Sequence, residues 1–194
     1  MEIGKNPGEE IISFGRLLYD KNLIAGRDGN ISVSLGEGKV LITASGVHKG
    51  LMEQADLVEI DLDGKMVSGT RKPSSEAMLH VETYKKLPGC RAIIHAHAPW
   101  STAASLGNDS IDLTMLAEGR LLFGRVEVLQ AMEPGSRELA RLSSEAAKRA
   151  QIHILKAHGV VAWGKDLMDA FCLIEALEQN IRILGLGRAC FPGT

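Results

Sequence analysis

The sequence predicts an α/β chain: a central sheet, mostly antiparallel or mixed, flanked by helices on both faces (an αβα arrangement), in a single domain over residues 1–194. Three observations predict it. Strand-like segments arrive in pairs joined by Gly-rich or Asp-Gly turns, as antiparallel hairpins are. Segments of helical period stand between these pairs. A chain of 194 residues, 45% hydrophobic and 24% charged, has the composition of one globular domain.

Residues 8–22 place Ile11, Ile12, Phe14, Leu17 and Leu18 at helical spacing, weakened by Ser13 and Gly15. Residues 30–35 alternate, 39–43 are rich in β-formers, and Gly36-Glu37-Gly38 turns the chain between them. A second pair, 56–62 and 65–68, turns at Asp63-Gly64. Pro73-Ser74-Ser75-Glu76 predicts a helix start, a serine cap before an acidic residue, and Pro88-Gly89 ends that helix after about residue 86. Residues 91–98 read as an apolar strand, and a short helix opens at Pro99 and ends near Leu106. A short strand follows at 125–129, then a helix at 135–150 capped by Ser136. Two short strands, 152–157 and 160–163, flank His158-Gly159, and a last helix runs from 166 to about 184.

Net charge is −2 without a block of like charges, which argues against a nucleic-acid groove or an anionic membrane surface. No apolar run approaches the roughly 20 residues that span a bilayer. The polar, acidic start MEIGKNPGEE is unlike a secretion signal, so a cytoplasmic protein is expected. Cys90, Cys172 and Cys190 form no C-x-x-C pair and do not suggest a disulfide framework. Cys90 and Cys172 read as small buried hydrophobes.

His95-Ala96-His97 carries the first chemical signal. Side chains two apart on a strand share a face, about 6–7 Å apart along it, so two imidazoles can converge on one metal. Ile93, Ile94, Ala96 and Ala98 make the strand apolar, and buried imidazoles without a partner are costly. A catalytic zinc site needs three protein ligands and an open position. His48, His80, His153 and His158 are available; His158, beside the turn-forming Gly159, is favoured, with His153 next. Three imidazoles suit several divalent metals besides Zn2+. Ser74, Ser75 and the following helix start offer hydroxyls and free N–H groups to an anion, although an ordinary cap would have the same sequence. Gly29-Asn30 and Ser45-Gly46 add unobstructed turns. Glu76, near such a metal, has the chemistry of a general base. His80, four residues on, is placed to orient it or simply to pack.

These segments resemble the class II aldolase/adducin-head family. The resemblance rests on Gly29-Asn30-Ile31-Ser32-Val33, Leu41-Ile42-Thr43-Ala44-Ser45-Gly46, Lys72-Pro73-Ser74-Ser75-Glu76 through His80, His95-Ala96-His97 and Ala157-His158-Gly159, in that family's order and spacing. It implies zinc on His95, His97 and His158. It implies a substrate phosphate on Asn30, Ser45, Gly46, Ser74 and Ser75, with Gly29 allowing backbone approach. It makes Glu76 the acid/base and a fourth zinc ligand that substrate displaces. It also implies a homotetramer with active sites at subunit interfaces, acting on a small phosphorylated sugar. The expected reaction is metal-dependent cleavage of a ketose 1-phosphate, like fuculose 1-phosphate, to dihydroxyacetone phosphate and an aldehyde. The zinc would stabilise an enediolate without a Schiff-base lysine. The family's ribulose-phosphate 4-epimerases carry Asp where Glu76 stands; its methylthioribulose-1-phosphate dehydratases can carry Glu. Its adducin heads, non-catalytic interaction modules, lack the histidines. The family's fuculose-phosphate aldolases use a Tyr from a neighbouring subunit near residues 115–120; here that stretch is Met-Leu-Ala-Glu-Gly-Arg, and the chain has only Tyr19 and Tyr84. Glu118, Arg120 or a water is left as the acid. The segment after the last predicted helix is also shorter than the tail those aldolases often carry.

Overall fold

The structure, a computed structural model, describes residues 6–190. The first five residues of the polar N-terminal segment, and the ends of the 1–194 domain reading, lie outside the described residues. Helix α1 (Pro7–Asp20) starts where the local chemistry directs it. The Asn6 side chain accepts from Gly8 N at 2.9 Å, Pro7 opens the first turn, and Glu9 and Glu10 complement the helix dipole. Its apolar stripe buries Ile11, Phe14 and Leu18.

The strands are β1 (Asn30–Gly36), β2 (Lys39–Thr43), β3 (Leu57–Asp61), β4 (Met66–Ser68), β5 (Ala92–Ala96), β6 (Ser110–Asp112), β7 (Arg125–Leu129), β8 (Ile152–Leu155) and β9 (Gly159–Gly164). They form one sheet in the order β4-β3-β2-β1-β5-β9-β8-β7-β6. Every neighbouring pair is antiparallel except β7 with β8. The helices are α2 (Ala77–Lys86), α3 (Pro99–Ser105), α4 (Ala117–Leu122), α5 (Arg137–Ala147) and α6 (Leu167–Cys190). Helices α2 and α5 pack together on one face; on the other, α6 packs against both α1 and α3. The alternation of β1 decides which side chain meets which layer: Ser32 meets α2 through His80, while Ile31 turns toward α1.

Strand β5 lies at the centre and is buried at every position. Its register aligns Asn30 with His95, His95 with Val161, and Val161 with His153 across three neighbours. This row places three polar side chains on the α2/α5 face, where the site is built.

Four expectations are corrected. Helix α2 begins at Ala77, so Ser74 and Ser75 lie in the turn before it and Glu76 is its cap residue, without a capping bond of its own side chain. Strand β6 and helix α4 were not anticipated. Three residues are too few to show a period, and Gly119 disfavours a helix; it is tolerated because an added Cβ would lie 2.4 Å from Leu113 O. Helix α6 continues to Cys190. Cys172 is exposed, on the solvent side of α6, whereas Cys90 is buried. None of the described helices is long and apolar enough to cross a membrane.

Candidate metal centre and anion cleft

Three histidines converge. His95 projects from β5, His97 follows its end, and His158 sits in the β8–β9 turn. His95 Nε2 lies 3.2 Å from His97 Nε2 and 3.3 Å from His158 Nε2. His95 Nδ1 donates to Val160 O at 2.9 Å, which leaves its Nε2 as a lone pair. Burial pushes His97 down to about 3, reinforced by the neighbouring histidines, and His158 is lowered for the same reasons. Neutral imidazoles that face one another repel unless a cation lies between them. Tetrahedral coordination with metal–nitrogen bonds of about 2.0–2.1 Å separates the nitrogens by roughly 3.3–3.4 Å, which matches this cluster. Asp28 Oδ2 lies 3.7 Å from His97 Nδ1, on the far side of that ring.

Glu76 completes the group, all of whose ligand atoms lie within 4.8 Å of one another. Its Oε2 is 3.3 Å from His95 Nε2, and its Oε1 is 3.6 Å from His158 Nε2. Oε1 is buried without a hydrogen-bond partner, which leaves it free to meet a metal or a substrate. Burial pushes this carboxyl up, but the histidine cluster and Asn30 more than offset it and hold it low, at about 2.

A directional chain of hydrogen bonds fixes the carboxylate. Asn30 Nδ2 donates to Glu76 Oε2 at 2.9 Å, so Asn30 Oδ1 faces His80 and accepts from His80 Nε2 at 2.5 Å. His80 Nδ1 must then accept from the Ser32 hydroxyl at 2.6 Å, and Ser32 accepts from Tyr84 at 2.8 Å. Neutral His80 satisfies this order, and burial pushes its pKa down to about 3. The Asn30 amide thus serves Glu76 and His80.

The cleft beside Glu76 measures about 320 Å³. Gly29, Asn30, Ser45, Gly46, Ser74, Ser75, His97 and His158 all line it. An isolated bridge between Ala44 and Pro73, with Ser45 N on Lys72 O and Ser74 N on Thr43 O, brings the two serine turns together. Gly29 has φ +69°, and a Cβ there would lie 2.5 Å from His95 O. Gly29→Ala is therefore expected to lower unfolding stability by about 2–4 kcal/mol, from left-handed strain and overpacking. A wild-type urea midpoint would refute this. Gly159 is similarly confined, with Ala96 O 2.4 Å from its would-be Cβ, which locks the His158 turn onto β5.

Four cleft residues carried no sequence signal: Arg27, Asp28, Lys49 and Pro134. Only the charges of the first three, beside Gly29 and Gly46, could have drawn attention. Glu118 and Arg120, on α4, are exposed and do not line the cleft. His48 packs edge-on against Tyr19. His153 is buried with Nε2 on Ser143 Oγ at 2.8 Å, away from the cluster. Burial pushes it down to about 3. Its unfolded form binds a proton near pH 6.5 that the folded form rejects. The stability that neutral His153 allows is complete above that pH and is lost as pH falls toward 3. His153→Gln should flatten the stability loss below pH 6.5, by up to about 1.4 kcal/mol per pH unit. Parallel urea-midpoint curves for the two proteins between pH 7 and 4 would refute it.

The fold and site define a class: an αβα domain whose central strand carries a three-histidine, one-carboxylate cluster able to hold a divalent metal. The family described as Class II Aldolase and Adducin N-terminal domain matches residues 9–184, and the chain belongs to it. The chain is 39% identical over 176 residues to an L-fuculose phosphate aldolase of Methanocaldococcus jannaschii, covering 90% of this chain and 93% of the relative. It is 34% identical over 180 residues to a 3-oxo-tetronate 4-phosphate decarboxylase of Haemophilus influenzae, covering 90% and 85%. A solved L-fuculose 1-phosphate aldolase superposes with a TM-score of 0.90 at 27% identity, over 98% of this chain and 90% of that one.

Proposed function

We propose that the chain is a zinc-dependent aldolase that reversibly cleaves a ketose 1-phosphate, of the fuculose 1-phosphate kind, to dihydroxyacetone phosphate and a small aldehyde. Glu76 carries this reading: a buried carboxylate with one unpartnered oxygen, between three converging imidazoles and a serine- and glycine-lined cleft. His95, His97 and His158 hold the ion. When bound, it supplies a Lewis acid for the charge that develops beside the substrate carbonyl. Ser45, Gly46, Ser74 and Ser75 hold the phosphate with hydroxyls and backbone N–H groups. Gly29 keeps the neighbouring wall free of side chain, and Asn30 borders the phosphate while holding Glu76. In the condensation direction Glu76 removes a proton from the carbon next to the carbonyl; in cleavage it returns that proton to the same carbon.

Neither tyrosine enters the cleft: Tyr19 packs on His48 and Tyr84 bonds Ser32. The aldehyde side is completed from another copy, in a cytoplasmic homotetramer with sites at subunit interfaces. The apolar exposure of Met115 (75%) and Leu121 (83%), around α4, supports such burial. An adducin-like, non-catalytic role leaves the three histidines and Glu76 without a purpose.

The test is metal content followed by a panel of ketose 1-phosphates. About one zinc per chain, with triose phosphate released only when metal is present, is the expected result. No bound metal, and no activity with zinc restored, would overturn it. The decarboxylase relative supports a second reading, since loss of CO2 leaves the same carbanion for the same site. Release of CO2 from 3-oxo-tetronate 4-phosphate, without aldol cleavage of any ketose phosphate, would favour it. A dehydrated diketone phosphate as the only product would favour a dehydratase.

A further inference from the structure

Lys49 is only 2% exposed, yet it has no carboxylate within ion-pair distance among the described residues. A buried cation without an anion is expensive unless other polar groups offset it. Two of its three ammonium protons go to carbonyls: Arg27 O at 3.1 Å and Val47 O at 2.8 Å. Its backbone N–H adds a third link, to Gly26 O at 3.0 Å. These bonds tie the loop carrying Gly29 to the loop carrying Ser45 and Gly46, the two glycine turns of the cleft. Lys49 also lines that cleft, together with Ser74 and Ser75. Burial lowers its pKa to about 8, partly countered by Asp28 and Asp56. A bound dianion would raise it again.

We propose that Lys49 is the enclosed cation of the cleft, which ties its two glycine loops together and neutralises the phosphate dianion of the substrate. This rests on the phosphate reading given above. Two carbonyls hold the ammonium where flexible Lys side chains would otherwise wander, so the site pays little ordering entropy on binding. Arg27, also on the cleft but exposed, has neither constraint.

The experiment uses the zinc-loaded protein, with inorganic phosphate as probe and acetate as a control anion that can reach zinc but carries one charge. Calorimetry should show Lys49→Met binding phosphate about tenfold to hundredfold more weakly than wild type, with acetate binding and zinc content unchanged. Equal phosphate affinity in the two proteins would overturn the role of Lys49 and leave the phosphate cleft standing. Failure of wild type to bind phosphate at all would overturn both, while the aldol reading is judged separately by triose phosphate release. Should Lys49→Met not fold, lysine 13Cε resonances of the wild-type protein decide the matter. The resonance missing from Lys49→Arg is expected to move on phosphate addition, and an unmoved resonance would overturn the proposal.

Discussion

His97→Ala is expected to abolish stable metal binding and, with it, activity. The Nε2 atoms of His97 and His158 lie 3.2 and 3.3 Å from that of His95, and His97 is one of only two partly exposed members of the cluster. Its removal leaves two imidazoles and a carboxylate around a position that solvent can enter. Loss of the ion forfeits several kcal/mol of transition-state charge stabilisation, a fall of about 10³-fold or more in turnover. Metal analysis after dialysis, read beside the cleavage assay, checks this. Full zinc occupancy in the variant would remove His97 from the ligand set. Because His97 follows the end of β5 and is half-exposed, the substitution should leave the sheet intact.

Glu76→Gln should do the opposite to the metal. The amide keeps the volume and can still meet Asn30, so fold and zinc content are expected to remain. Turnover should drop by about 10²–10⁴-fold, the usual contribution of a positioned acid or base. The loss belongs in kcat, because the phosphate contacts proposed for Ser45, Gly46, Ser74 and Ser75 are untouched. Unchanged turnover would take Glu76 out of the mechanism. Together the two variants separate holding the ion from moving the proton.

Much of the molecule was legible in the chain. The hairpin of β1 and β2, the pair β3 and β4, the helix capped by Ser136 and the turn at His158 follow from alternation, turn residues and a cap, all of which act within a few residues. Short range also explains the errors. The serines before α2 carry cap chemistry, but Ser74 instead accepts from Glu76 N at 3.2 Å and bridges to the strand end at Thr43. The exposure of Cys172 depends on which side of α6 meets β5 and β9, which periodicity along a mixed helix leaves open.

By itself, then, the sequence determined the αβα class, the pairing of neighbouring strands, the H-x-H pair and the glycine and serine turns, because those signals are local. Only the tertiary structure decided how they meet. Asn30 reaches Glu76 across 46 residues, His158 meets His95 across 63, and His80 bonds Asn30 across 50. It decided that the Asn30 amide steadies the carboxylate, that His153 turns to Ser143, and that Lys49 is closed in beneath two glycine loops. The reason is physical: strand register and helix layering place side chains in space, and burial then sets which polar groups must find one another.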